Sequence, residues 1–186
     1  MKLDRSFYER EDVVTISREL LGKVLFSRSG KTITAGIITE TEAYAGITDK
    51  ASHAWNNRRT ERTKIMYETG GISYVYLCYG IHHLFNVVTN KKDIPHAILI
   101  RALSPLEGIK TMQTRRGKNV PKEKLCSGPG SLSVAMNISV KDTGKNLLGD
   151  RIWIEDTGIK INHKEISITP RIGVDYAGED AKLPYR

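Results

Sequence analysis

The chain has few cysteines and no long apolar segment. Its 186 residues include only two cysteines, Cys78 and Cys126, which lie far apart and form no CxxC pair. This pattern indicates neither a disulfide framework nor a cysteine zinc site, so a reducing compartment is the default. The N-terminal residues lack the apolar core of a signal peptide, and no window reaches the apolar length of a membrane span. We therefore expect a soluble, cytoplasmic protein.

Acidic residues are scarce relative to basic ones. The sequence has 29 Lys and Arg residues against 21 Asp and Glu residues, which gives a formal net charge of +8. Such an excess suits a polyanionic partner, but it concerns binding rather than fold. Basic proteins without a nucleic-acid role are common, so the charge alone leaves both interpretations open.

The length and the apolar content predict one domain spanning residues 1–186. A chain of 186 residues with 39% hydrophobic composition can bury one core and is too short for two comfortable domains. There is no internal repeat and no low-complexity tract. Glycine patterns of the Walker type or the dinucleotide-binding type are also missing.

Apolar periodicity and turn residues predict the secondary structure. A helix capped by Asp12 ends at Gly22, and Ser127-Gly128-Pro129-Gly130 predicts a tight loop before a short helix. Ser104-Pro105-Leu106-Glu107 matches a helix start in which Glu107 closes a capping box. Strands are predicted at 23–28, 31–44, 74–77, 84–89, 97–103, 151–155 and 166–174.

The second predicted strand carries the main candidate for chemistry. Alternation places Ile33, Ala35, Ile37, Thr39, Thr41 and Ala43 on one face. Glu40, Glu42 and Tyr44 then share the other face, directly before a long polar loop at 45–71. An acidic side chain in a basic groove weakens binding of phosphates, so Glu42 there needs a chemical reason, such as activation of water. The alternative is a solvated glutamate at a strand end, paired with an arginine.

Aromatic residues supply a second group of candidates. Tyr79-Gly80 is a plausible hairpin tip, and an exposed tyrosine there could act as a wedge in a base stack. Tyr44 and Tyr76 could hold an extruded base between them, and His53 could stack beside it or orient a phosphate. The alternatives are core packing for the tyrosines and an ordinary structural role for the histidine.

Histidines suggest a zinc hydrolase as a competing interpretation, but their spacing argues against it. His82 and His83 are adjacent, so they point to opposite sides of a strand. No HExxH pair, nor any other i, i+4 pair of histidines on a helix, is present. The spacing therefore argues against a zinc hydrolase.

Several segments together resemble one known family, the alkyladenine (3-methyladenine) DNA glycosylases of the mammalian type, which also occur in bacteria. Blocks in the same order are more specific than any single motif. The matching segments are RELLGKVL at 18–25, GIITETEAYAG at 36–46, DKASHA at 49–54, YVYLCYGIHHLFNVVT at 74–89, ILIRALSPLEG at 98–108, LCSGPGSL at 125–132 and PRIGV at 170–174.

The resemblance implies a role for the charged residues around the second strand. In proteins of this family, the glutamate that matches Glu42 activates the water. Arg101, together with the backbone at Ala102 or near it, helps to hold that water. Arginines in the loop after His53 are expected to contact the DNA backbone, and the candidates are Arg58, Arg59 and Arg62.

The resemblance also implies how a base would be recognised. Residues that match Tyr44, His53 and Tyr76 bracket a flipped base, and the one that matches Tyr79 intercalates. The residue that matches Asn86 obstructs guanine at its 2-amino group. The loop at 54–62 departs from the family, because relatives usually carry glycine before the Arg-Thr pair.

The implied fold is a single α+β domain with a curved, mainly antiparallel sheet and peripheral helices. The implied enzyme is a monofunctional DNA glycosylase without metal, cofactor or lyase step. It would remove alkylated or deaminated purines from double-stranded DNA as a monomer, associated with the nucleoid through DNA binding. Two other functions remain to be compared with it: a module that binds distorted nucleic acid without chemistry, and a hydrolase of free nucleosides.

Overall fold

A computed structural model describes all 186 residues. One six-stranded sheet forms the centre, in the order β3-β4-β5-β2-β1-β6, and every neighbouring pair is antiparallel. The sheet is curled, and helices lie at its periphery, so the predicted α+β class is confirmed. The strands are β1 (Val24–Ser29), β2 (Thr32–Tyr44), β3 (Ile72–Cys78), β4 (His82–Thr89), β5 (His96–Glu107) and β6 (Ile152–Glu155).

Four α-helices accompany the sheet: α1 (Arg5–Tyr8), α2 (Val13–Glu19), α3 (Ile109–Arg116) and α4 (Pro129–Met136). Asp12 caps α2 as predicted, because its Oδ1 accepts hydrogen bonds from the N–H groups of Val14 and Thr15 at 3.0 and 3.1 Å. Ile16 and Leu20, which share one face of this segment, are buried in the main core. None of the helices has the length and apolar character that crossing a membrane demands.

The two faces of the sheet are covered differently. The larger hydrophobic cluster includes apolar residues of α2, α3 and α4 and of the strands beneath them. A smaller cluster lies under the loop between β2 and β3 and joins Ala54, Met66, Tyr67, Tyr74, Val88 and Ala97. The helical side is therefore a closed core, whereas the other side is covered by irregular segments that leave room for a cavity.

An irregularity between β2 and β5 determines which residues face this cavity. Thr39 and Arg101 have no partner in register there. Before this point Ile38 is the buried core residue at 1% exposure, whereas after it Ala43 occupies the core. A bulge of this kind shifts the alternation by one residue. The prediction that alternate residues from Ile33 to Ala43 share one face is therefore wrong for the residues before the bulge. Glu40, Glu42 and Tyr44 do lie on the same side of the sheet, as predicted.

The predicted helix start at Ser104-Pro105-Leu106-Glu107 is wrong. These residues continue β5, which runs to Glu107, and α3 begins at Ile109 after Gly108 with φ 71°. Pro105 pairs with Gly36 next to a register shift, where a missing N–H is tolerated. Glu107 consequently closes no capping box and is exposed at the end of the strand.

The strand predicted at 166–174 is also wrong. This segment has no regular structure, and it holds the chain terminus through paired main-chain hydrogen bonds between Thr169 and Arg186 at 2.8 and 3.0 Å. Pro170 lacks the N–H that a ladder needs, and Gly173 adopts φ 74°. Because the segment belongs to no sheet, its main-chain groups are available for other partners.

Candidate active site

One row of side chains crosses the sheet on its irregularly covered face. The register aligns Tyr74 with Asn86, Asn86 with Leu99, and Leu99 with Glu42. Side chains at paired positions lie on the same side of a sheet. The strand order therefore brings residues far apart in sequence to the floor of one cavity, whose volume is about 460 Å³.

Glu42 lies at this floor and is fully buried at 0% exposure. Its Oε1 accepts a hydrogen bond from the Ile172 N–H at 2.8 Å and lies 3.2 Å from Nη1 of Arg101. Its Oε2 accepts a hydrogen bond from the Tyr44 hydroxyl at 2.9 Å. The alternative of a solvated glutamate is thereby wrong: Glu42 does pair with an arginine, but inside the protein.

Arg101 connects Glu42 to a second carboxylate on the same strand. Its Nε donates to Oε1 of Glu40 at 2.9 Å, and Arg186 donates to the same oxygen at 2.7 Å. Burial by itself would raise the pKa of Glu40, but the hydrogen bonds from Arg186 and Arg101 outweigh it and lower that pKa. Glu40 thus remains an ionised anchor that holds the Arg101 guanidinium beside Glu42.

The aromatic walls of the cavity come from three segments. Tyr44 lies at the end of β2, Tyr76 on β3 and His53 in the loop between these strands, and all three line the cavity. The rings of His53 and Tyr76 meet edge to face, with centroids 4.6 Å apart. Tyr74 also borders the cavity, but at 2% exposure it is packed into the smaller core cluster. The core alternative therefore applies to Tyr74, whereas Tyr76 is half-buried at the cavity.

His53 is held in a neutral form. Its Nδ1 lies 2.8 Å from the hydroxyl oxygen of Tyr74. Burial, assisted by the positive charges of Arg62 and Arg58, lowers the pKa of His53 to about 4. The ring can therefore contact a cationic ligand without repelling it. Burial also raises the pKa of Tyr44 and of Tyr76, so both phenols remain protonated.

Asn86 is fixed in the cavity wall. It is 3% exposed, and its Nδ2 donates to the carbonyl oxygens of Tyr74 and Leu84, both at 3.2 Å. These two bonds leave the side chain little freedom to move away from a bulky ligand.

Tyr79 occupies the tip of the β3–β4 hairpin, as predicted. It is 89% exposed and also borders the cavity. Tyr79 and Gly80 have positive φ values of 51° and 74° and form the centre of a turn in which the Ile81 N–H donates to the Cys78 carbonyl oxygen, within a three-residue connection between β3 and β4. A bulky residue with positive φ is uncommon and carries a strain of roughly 1–2 kcal/mol. The fold therefore holds a large aromatic side chain in solvent at some cost.

The loop after His53 contains two consecutive residues in the left-handed backbone conformation. Asn56 and Asn57 have φ values of 54° and 56°, and asparagine tolerates this left-handed conformation better than most residues. All three predicted arginines are exposed, Arg58 and Arg62 have no ion-pair partner, and Arg58 borders a groove that adjoins the cavity at His53. Arg59 instead stacks on Tyr67 at 3.8 Å and pairs with Asp93 at 3.0 Å.

Comparison with known proteins agrees with this geometry. A family described as "Methylpurine-DNA glycosylase (MPG)" matches residues 6–186. This chain belongs to that family. The resemblance inferred from the sequence blocks is confirmed, and so is the expected enzyme class, a DNA glycosylase that hydrolyses N-glycosyl bonds and belongs to DNA repair.

Relatives from several bacteria cover nearly the whole chain. A protein of Chlamydia felis is 47% identical over 99% of this chain and 94% of its own length. Relatives from Alkaliphilus oremlandii and Bacillus cytotoxicus are 45% and 42% identical over 100% of this chain, and over 94% and 95% of their own lengths. Each of the three carries the name "Putative 3-methyladenine DNA glycosylase".

Sequence reasoning missed three contributors to the site. The main-chain group that donates to Glu42 belongs to Ile172, whereas the expected contact of the backbone near Ala102 concerns the water and stays a prediction. Arg171 and Asp49 form a buried ion pair directly behind it. The segment PRIGV and the Asp49 position were both visible as parts of matching blocks, but nothing in their local pattern indicates that they meet.

Proposed function

We propose that this glycosylase flips alkylated or deaminated purines out of double-stranded DNA and hydrolyses their N-glycosidic bond with water activated by Glu42. The observation that carries the proposal is a fully buried carboxylate at the floor of an aromatic cavity. A buried charge is costly unless it is paired, and in a stable core it could be replaced by an apolar residue. Its presence at the cavity floor therefore favours a chemical role.

The hydrogen bonds of Glu42 leave one acceptor position for a water molecule. A carboxylate has about four lone-pair sites. Oε1 accepts from Ile172 and faces Arg101, whereas Oε2 accepts only from Tyr44. The free site on Oε2 can accept a proton from water, which then adds to C1′ as the base leaves and the sugar acquires oxocarbenium character. Arg101 keeps the carboxylate in place for this step.

Selection of the damaged base rests on three modest filters. Damaged pairs open more easily than normal ones, and an electron-poor or cationic ring stacks well against Tyr44, Tyr76 and the neutral His53. Asn86 then excludes the 2-amino group of guanine by its fixed position. Alkylated adenine and hypoxanthine lack that amine. No single tight pocket is needed.

Exposed residues around the cavity suit a duplex rather than a free nucleoside. Tyr79 would fill the space that the flipped nucleotide vacates, which offsets part of an unstacking cost of a few kcal/mol. Arg58 and Arg62 would neutralise phosphates beside it. The formal charge of +8 acts in the same direction. We propose that the protein performs these steps as a monomer.

The direct test is excision from duplex oligonucleotides that each contain one defined lesion: 3-methyladenine, hypoxanthine or etheno-adenine. We expect base release from at least one of these duplexes and much slower release from the matching free nucleoside. Binding of lesion DNA without release would instead indicate a recognition module. Equal rates on the free nucleoside would indicate a nucleoside hydrolase.

A further inference from the structure

A buried ion pair lies behind the proposed catalytic carboxylate. Asp49 and Arg171 are 2% and 0% exposed, and both guanidinium Nη atoms donate to the Asp49 carboxylate, Nη2 to Oδ1 at 2.9 Å. The same guanidinium donates to the carbonyl oxygens of Ala43 and Asp180, each at 3.0 Å. Burial alone would lower the pKa of Arg171, but hydrogen bonding and attraction from Asp49 raise it. Arg171 therefore stays charged although it is buried.

The Asp49 carboxylate also organises the loop that follows β2. Its Oδ2 accepts a hydrogen bond from the Ala45 N–H and its Oδ1 accepts one from the Ala51 N–H, each at 3.0 Å. Ala45 directly follows Tyr44, and Ala51 lies two residues before His53. One ion pair thus joins the end of β2, the loop that leads to His53 and the irregular C-terminal segment.

Two of the groups around Glu42 lie next to Arg171. Ile172 follows it in the chain, and no strand fixes the position of the Ile172 N–H. The Arg171 guanidinium also lies over the ring of Tyr44, 4.9 Å from its centroid. Tyr44 and Ile172 supply the two hydrogen bonds that Glu42 accepts.

We propose that Asp49 and Arg171 act as positioning residues, which set the orientation of Glu42 by holding the Ile172 N–H and the Tyr44 ring against it. This inference rests on the proposed role of Glu42. A purely structural ion pair would contribute to folding alone, and buried ion pairs often stabilise proteins no better than apolar residues do. A positioning role predicts a loss of reaction rate that exceeds any loss of substrate binding.

The test compares Arg171→Lys with Arg151→Lys. Lysine keeps the charge but loses the planar fork, so it cannot bind Asp49, Ala43 and Asp180 together. Arg151 is a matched control, because it also pairs with a carboxylate, Asp142, and donates to carbonyl oxygens, but far from Glu42. Both variants are expected to lose stability, which thermal unfolding measures.

The distinguishing measurement is single-turnover excision at saturating enzyme, followed as a function of pH. A misplacement of about 1 Å can cost roughly 100-fold in rate, so we expect Arg171→Lys to be slower by at least about 10-fold. Binding of the lesion duplex should change by less than about 3-fold, and Arg151→Lys should excise at the wild-type rate. A carboxylate that accepts fewer hydrogen bonds holds its proton to higher pH. The acid limb of the profile for Arg171→Lys should therefore move upward.

Asp49→Asn provides an independent second variant with nearly the same shape. It should reproduce the rate loss and the shifted acid limb, and combining it with Arg171→Lys should add little, because both act through one pair. A wild-type rate in either folded variant overturns the proposal. Failure of both variants to fold also overturns it, because the ion pair would then serve folding alone. Near-normal excision by Glu42→Gln would instead overturn the proposed function, so the two failures are distinguishable.

Discussion

His53 gives the protein a predictable dependence of stability on pH. The pKa of its imidazole is about 4 in the folded protein, mainly because the ring is buried, and about 6.5 in an unfolded chain. Between these two pH values His53 is protonated in the unfolded chain and neutral in the folded protein. The contribution of His53 therefore favours the folded state fully above pH 6.5 and is lost progressively as the pH falls towards 4.

The size of this effect follows from the two pKa values. Each pH unit inside the window changes the free energy of unfolding by at most about 1.4 kcal/mol. From pH 7 to pH 5, the loss due to His53 is about 2 kcal/mol, as an upper figure, because the ring retains some contact with solvent.

Urea unfolding of the wild type and of His53→Gln at pH 7, 6 and 5 measures this contribution. Glutamine does not titrate, and all other groups, including the partly buried His96, are common to both proteins. The difference in unfolding free energy between the two should change by about 2 kcal/mol over this range, with the wild type losing more stability. A difference that is independent of pH would refute the argument that burial and the neighbouring arginines keep His53 neutral.

Three further predictions concern DNA recognition. Tyr79→Ala should weaken engagement and excision of a lesion in duplex DNA with little loss of stability, because the side chain is 89% exposed; duplex binding and excision at wild-type levels would remove the wedge role. Asn86→Ala should raise activity on guanine-type bases relative to hypoxanthine, and an unchanged ratio would assign this selectivity to other residues. Arg62→Ala should lower the log–log salt slope of duplex binding by about 0.9, as for one phosphate contact. Equal slopes in the wild type and in Arg62→Ala would contradict the phosphate contact of Arg62. Arg59→Ala should lower the salt slope less than Arg62→Ala does, because Arg59 already pairs with Asp93.

Local signals in the sequence predicted the parts of the fold that local interactions determine. Asp12 caps a helix through groups two and three residues away, and the Tyr79-Gly80 turn closes between adjacent strands. The residues from Ser104 to Glu107 carry a local signal for a helix start, but they pair with β2 and form part of β5 instead. Tertiary context often overrides a capping signal of about 1 kcal/mol.

The site was only partly predictable for the same reason. Glu42 and Tyr44 stand out because they share a strand face, and Tyr79 because it lies at a turn. Arg171 and Asp49, in contrast, are 122 residues apart, and the partner of the Ile172 N–H is 130 residues away. No periodicity or spacing connects such groups. Only the fold, in which an irregular C-terminal segment reaches the floor of the cavity, brings them together.

Glu42→Gln tests the central claim most directly. The amide oxygen can still accept from the Ile172 N–H beside Arg101, and the Tyr44 hydroxyl can reverse its role and accept from the new NH₂ group, so the fold should survive. Only the general base is lost, and this loss typically lowers the reaction rate by about 100-fold or more. We predict that single-turnover release of hypoxanthine from duplex DNA falls by at least that factor while lesion binding persists or tightens. Near-normal release by a well-folded Glu42→Gln protein would contradict the mechanism.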